Sequence, residues 1–233
     1  MHKRVLESGF CTASLGVDER PIMPANIYVF EGSWDRPNEA PQVLPFLSAY
    51  EQTFKNIKLN HRTIRNQADL AYYIGKIPKG NQSLVYIACH GDIGLLDPSD
   101  KKSQIHMHEL QAALNSAKQD SIAFLHLGCC HFLQQEEGSR RNYLNELIGS
   151  MEGGRWVSGY TKEVDWLGSL LLDLAFISEV YVPWREAPTQ KREAEKSAER
   201  FLKAYEQLVR SLGFSALSTI GRSDVLIPHR LSS

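Results

Sequence analysis

The sequence is short of the features that mark out many protein classes. Its charges nearly cancel: 26 basic and 27 acidic residues leave a formal charge of −1. That balance gives no electrostatic footprint for nucleic acid or an anionic membrane. No apolar run attains the roughly 20 residues that span a bilayer. The longest, near residues 170–177, is interrupted by Asp173. The N-terminus begins basic but has no sustained apolar core behind it, so no signal peptide is expected. Neither Gly-x-Gly-x-x-Gly nor a Walker-type Gly-Lys-Ser/Thr occurs, which removes the common phosphate cradles. There is no internal repeat and no low-complexity tract. Cysteine is scarce too: Cys11, Cys89, Cys129 and Cys130 are the four in 233 residues. One lone residue and one adjacent pair do not make a secreted disulfide framework. The expectation is a reducing, cytoplasmic compartment, with thiols free for chemistry.

What is present reads as alternating strands and helices, hence an α/β fold with a mostly parallel sheet covered on both faces. Residues 1–25 have no clean period and are expected to form an irregular arm. Residues 26–233 are long enough for one well-cored domain. Strands are expected at 27–30, 57–64, 84–88, 122–127, 155–160 and 214–220. Helices are expected at 43–54, 66–74, 109–116, 136–149 and 166–177. Asn66 and Asp165 are candidate N-caps. Residues 186–212 carry one apolar stripe, Ala194, Ala198, Phe201, Tyr205 and Leu208, and read as a single long amphipathic helix. The stretches 33–42 and 95–103 read as loops.

Chemistry concentrates at the ends of two apolar runs. Leu84-Val85-Tyr86-Ile87-Ala88 runs into Cys89-His90-Gly91-Asp92, and Ile122-Ala123-Phe124-Leu125-His126-Leu127 into Gly128-Cys129-Cys130-His131. If both are neighbouring parallel strands, their carboxyl ends share the sheet edge where α/β proteins place ligands. A histidine and a cysteine then meet across one crevice. A thiol attacks a carbonyl only as thiolate, so a nearby base must take its proton. His90 can do so and later protonate a leaving amine. Gly91 allows close backbone approach, with an N–H near a developing oxyanion. Gly128 permits a sharp turn after the strand. Cys129 and Cys130 point to opposite faces. The small residue before it favours Cys129 as nucleophile, leaving Cys130 as the alternative; Cys89 should point away from His90.

The order and setting of these motifs resemble the caspase-like cysteine peptidases of clan CD, and within them the CHAT group. Tyr86-Ile87-Ala88-Cys89-His90-Gly91 resembles the CHAT histidine motif. Phe124-Leu125-His126-Leu127-Gly128-Cys129 resembles its cysteine motif, with glycine where alanine is usual. Gly159-Tyr160-Thr161-Lys162-Glu163-Val164-Asp165-Trp166 resembles the downstream strand end, which usually closes in Trp-x-Val-Asp-Asp; here Lys162 and Trp166 depart from that pattern. The Gln-Ala-Cys-Arg-Gly signature of caspases proper is absent. The likeness covers residues 80–178.

The resemblance implies a caspase-like α/β fold and a cysteine endopeptidase. Cys129 and His90 form its dyad, backbone N–H groups of Gly91 and Cys129 its oxyanion hole, and no cofactor or metal is needed. It also implies a protein substrate, an activating protein partner, no direct nucleic acid or membrane contact, and a regulated bacterial role such as antiviral defence. Glu163 and Asp165 are the candidate pocket carboxylates for a basic P1 side chain, or else a solvated charge and a helix cap. Two other readings stand beside the peptidase. One is a catalytically inactive interaction module of the same fold. The other is a zinc site drawn from His126, Cys129, Cys130 and His131, with His106 and His108 sharing one strand face.

Overall fold

The computed structural model describes residues 24–32, 42–99, 103–135, 142–188, 190–220 and 225–227. The expected N-terminal arm, with Cys11, and most of the loop at 33–42 lie outside them.

The two runs that end in His90 and in the cysteine pair are the centre of the sheet. Strand β3 (Ser83–Ala88) and strand β7 (Ile122–Gly128) are buried along nearly their whole length. A strand covered on both faces needs a continuous apolar run, and both have one. On one side of the pair lie β1 (Ala25–Glu31) and β2 (Ile57–Thr63). On the other lie β8 (Trp156–Tyr160), β9 (Phe214–Ser218) and β10 (Val225–Ile227). The strand order is β10-β9-β8-β7-β3-β1-β2. The five strands from β2 to β8 are parallel; β9 and β10 are antiparallel to their neighbours.

Period-two alternation divides the core between the two faces. Leu84, Tyr86 and Ala88 of β3 join one apolar cluster with Leu47 of α1 (Leu44–Thr53), Phe176 of α5 (Trp166–Phe176) and Phe201 of α7 (Lys191–Ala204). Val85 and Ile87 join the other, with Leu70 of α2 (Gln67–Lys76), Leu110 of α3 (Met107–Asn115) and Leu147 of α4 (Tyr143–Gly149). Asn66 caps α2 by accepting from the N–H of Asp69. Of the helix expected at 136–149, the described part starts at Tyr143; residues 136–141 lie outside.

Three expectations give way. The segment after His90 is not a plain loop: β4 (His90–Asp92), β5 (Leu95–Asp97) and β6 (Ile105–His106) form a small antiparallel sheet. The helix at 166–177 does not stop there. It passes through a π-helical turn, Ile177–Tyr181, into α6 (Val182–Glu186), where Pro183 sits in the first turn and is tolerated. This 21-residue stretch is apolar enough by length and composition to cross a membrane, yet half of it is buried inside the protein. The long amphipathic helix is two. Ala187, before Pro188, leaves helical geometry at φ −136°. Tyr205 interrupts the rest, bonding Glu179 from its hydroxyl, and α8 (Glu206–Leu212) follows.

Candidate active site

Register decides what meets at the carboxyl edge. Ala88 of β3 pairs with Gly128 of β7, so the next residues, Cys89 and Cys129, stand abreast. Their sulfurs are 3.6 Å apart, and both side chains are buried in the α2–α3–α4 core. Cys129 Sγ also lies 3.5 Å from the Ile87 carbonyl. Burial, then the Cys89 contact, pushes the Cys129 thiol well above its ordinary pKa. The sulfur expected to attack is therefore sealed, protonated and turned away from solvent.

The next residues along, His90 and Cys130, are half-buried. Both lie past the ends of the paired strands, His90 in the small second sheet and Cys130 in a turn. His90 opens β4 and pairs with Asp97 of β5, which fixes its backbone. The Cys130 thiol points at the Val164 carbonyl, 3.9 Å away. Burial raises its pKa, with Cys129 and Glu163 adding to the rise, while backbone hydrogen bonding at Val164 and at Cys130 itself opposes it. Of the two sulfurs, Cys130 is the less buried.

The glycines are explained by what sits against them. A Cβ on Gly91 would fall 2.8 Å from the Cys130 carbonyl and 2.9 Å from Cys129 Cβ. Glycine lets the two strand ends close on each other there. Gly128 is needed for a different reason than a turn: a Cβ would fall 2.6 Å from the Tyr86 ring.

The strand-end loop after β8 forms one wall. His131, in the left-handed region at φ 55°, donates its N–H to the Lys162 carbonyl, and Leu133 donates to Tyr160. These bonds hold residues 160–164 beside Cys130. Glu163 is exposed on that wall. Asp165 is exposed too, but its carboxylate accepts from Gly168 N–H at 2.6 Å and caps α5. Of the two candidate pocket carboxylates, one is occupied in a helix cap.

The candidate zinc ligands do not converge. His126 lies on the face opposite Cys129, and among the described residues no three His, Cys, Asp or Glu side chains form a metal-sized cluster. His106 and His108 stack at 5.8 Å, but His106 precedes α3 and His108 lies within it, so they share no strand face.

A buried polar cluster went unforeseen. His126 Nε2 is 2.6 Å from Asp173 Oδ1, and His126 Nδ1 is 2.7 Å from Ser158 Oγ. Tyr86 and Tyr160 donate to the same carboxylate at 2.6 and 2.5 Å. The Ser158–His126–Asp173 order resembles a hydrolase triad, but all three residues are buried. It ties β3, β7, β8 and α5 together directly behind the candidate site. The available signal was Asp173 itself, a lone charge in an apolar helix that needs partners.

No family model matches this sequence, and no curated protein does. Among solved structures, the chain is similar to caspase-1 from Spodoptera frugiperda: 11% identity and a TM-score of 0.42, over 68% of this chain and 71% of that one. It is also similar to an inactive zymogen C11 protease from Parabacteroides distasonis: 13% identity and a TM-score of 0.48, over 85% of this chain. The chain spans 63% of the length of that protease. At such identities the likeness concerns the fold and carries no residue roles. The mostly parallel sheet with helices on both faces is the α/β arrangement expected from the sequence.

Proposed function

We propose that this protein is a caspase-like cysteine endopeptidase in which Cys130, not Cys129, is the nucleophile and His90 is the general acid and base. The observation that carries the reading is the Ala88–Gly128 register. Just past it, Gly91, next to His90, packs against the Cys130 carbonyl, and His90 and Cys130 are half-buried while their neighbours Cys89 and Cys129 are sealed. In this mechanism the imidazole takes the Cys130 proton, and the thiolate attacks the peptide carbonyl. N–H groups of Gly91 and Cys130 stabilise the oxyanion. His90 then protonates the leaving amine, and a water that it deprotonates releases the acyl-enzyme.

Glu163 is the candidate partner for a basic P1 side chain, since Asp165 already serves the helix. The finer family placement, in the CHAT group, rests on the motifs at 86–91 and 124–129. With it come a dedicated protein substrate, an activating protein partner and a bacterial defence setting in the cytoplasm.

Iodoacetamide labelling tests the dyad without a known substrate. His90→Ala should slow alkylation of Cys130 about tenfold, one pKa unit of thiolate fraction. Equal rates in wild type and His90→Ala favour the inactive interaction module instead. Fluorogenic peptides differing only at P1 test the pocket; a preference for aspartate rejects the Glu163 assignment.

A further inference from the structure

Each of the two proposed catalytic residues is preceded by a cysteine. Those two cysteines, Cys89 and Cys129, are free thiols in contact at 3.6 Å. Neither has a part in the peptidase chemistry. Both could be read as small apolar fillers, but their arrangement is more particular than filling requires. They sit abreast on adjacent parallel strands, one step past the Ala88–Gly128 pair. Adjacent strands are about 4.8 Å apart, inside the range of about 4.4–6.8 Å between Cα atoms that a disulfide accepts. Both side chains enter the same core cluster, so their Cβ vectors agree in direction. A bond requires the sulfurs to close to about 2.05 Å, which side-chain rotation and a small strand adjustment supply.

We infer that Cys89 and Cys129 are a modification site, a dithiol that hydrogen peroxide converts reversibly to a disulfide beneath the proposed active site. Both thiols are buried, so the reaction runs through a local opening of the β3 and β7 ends that admits the peroxide; one sulfur then attacks the O–O bond and becomes a sulfenic acid, and the hydroxide released takes up the thiol proton and leaves as water. The second sulfur then attacks the first. Its proton departs with the hydroxyl group as another water. Two thiols and one peroxide thus give one disulfide and two waters, with two electrons passing from sulfur to oxygen. A dithiol reductant reverses the change.

The position gives the bond a route to the site. Gly91 packs on Cys129 Cβ and on the Cys130 carbonyl, with no room for even a methyl group between them. Gly32 packs as closely on Cys89 Cβ, where a methyl group would lie 2.6 Å away. Drawing the two sulfurs together moves the surfaces on which these glycines rest. This consequence for activity rests on the peptidase reading; the chemistry of the pair does not.

The test therefore uses full-length Cys130→Ser protein, which removes the exposed sulfur. After hydrogen peroxide, the intact mass should fall by two hydrogens. A non-reducing peptide map should join the Cys89 peptide to the Cys129 peptide, and dithiothreitol should separate them. Cys89→Ala in the same background should abolish the mass loss. The same map on wild-type protein should show the same link whether or not the double variant folds. Recovery of Cys89 and Cys129 as free thiols, oxygen addition without a link, or a link from either to Cys11 would each overturn the inference. None of these results bears on whether Cys130 is the nucleophile.

Discussion

The buried cluster around Asp173 makes the sharpest claim about stability. One carboxylate accepts from His126, Tyr86 and Tyr160, with Oδ1 taking two of the bonds and Oδ2 the third. Asp173→Ala removes the acceptor of all three donors in a site sealed from water, and of the three Tyr160 keeps a second acceptor, the Ser169 carbonyl at 3.2 Å. A buried donor left without a partner costs about 1–3 kcal/mol. The two phenols can rotate their protons, so the low end applies to them, and the sum is about 3–5 kcal/mol, as for breaking other buried charged pairs. That is a large share of the roughly 5–15 kcal/mol that holds a domain of ordinary stability together, and about the whole margin in a weak one. Urea unfolding followed by circular dichroism should show the midpoint lowered by roughly 1–2 M at unchanged slope. Asp173→Asn keeps an acceptor and should lose less. Tyr160→Phe, costly alone, should add little on top of Asp173→Ala, giving a coupling of about 1 kcal/mol or more. A loss under about 1 kcal/mol for Asp173→Ala, or strict additivity with Tyr160→Phe, would refute the reasoning.

Two further outcomes can be stated from the ionisable groups. Glu163 helps to keep the Cys130 thiol protonated, so Glu163→Gln should speed iodoacetamide labelling of Cys130 about two- to threefold at low salt and less at high salt; an unchanged or slower rate contradicts the placement. If Glu163 also holds the P1 side chain, the same variant should raise KM for arginyl and lysyl peptides. Burial holds the phenols of Tyr86, Tyr160 and Tyr181 above their ordinary pKa, with the Asp173 charge adding to the first two. Between the unfolded pKa near 10 and the higher folded values, the unfolded chain binds fewer protons. Stability should therefore be full below about pH 10 and fall above it by up to about 1.4 kcal/mol per pH unit for each tyrosine. Melting temperatures measured across pH 8–12 check this, and a flat profile is the opposing result.

How far the sequence could be read depended on what each residue needed. The two central strands were legible because burial on both faces demands the unbroken apolar runs at 84–88 and 122–127. The small sheet β4–β5–β6 was not, because its strands are two or three residues long and half polar. The break at Tyr205 was hidden in an apolar stripe that continues across it, whereas Pro188 was in plain view inside the supposed helix. Asp173 read as an interruption of an apolar run, but its three partners lie 13 to 87 residues away.

At the site, alternation showed that Cys129 and Cys130 face opposite ways. It could not show which face was closed, because that depends on the neighbouring strand. Only the pairing of β3 with β7 puts Cys89 against Cys129. The local preference for a small residue before the nucleophile favoured Cys129, the more buried of the two sulfurs. For the pocket, the N-cap alternative for Asp165 was already visible in its position before the helix, and its bond to Gly168 follows from that.

The most direct measurement compares the two sulfurs in one experiment. Wild-type, Cys129→Ala and Cys130→Ala proteins are incubated with candidate protein substrates and with the P1 peptide panel, and any cut is mapped by mass spectrometry. Cleavage should persist in Cys129→Ala and vanish in Cys130→Ala, with both variants folded by circular dichroism. Cleavage that survives the loss of Cys130 but not of Cys129 would contradict the active-site assignment made from the β3–β7 register.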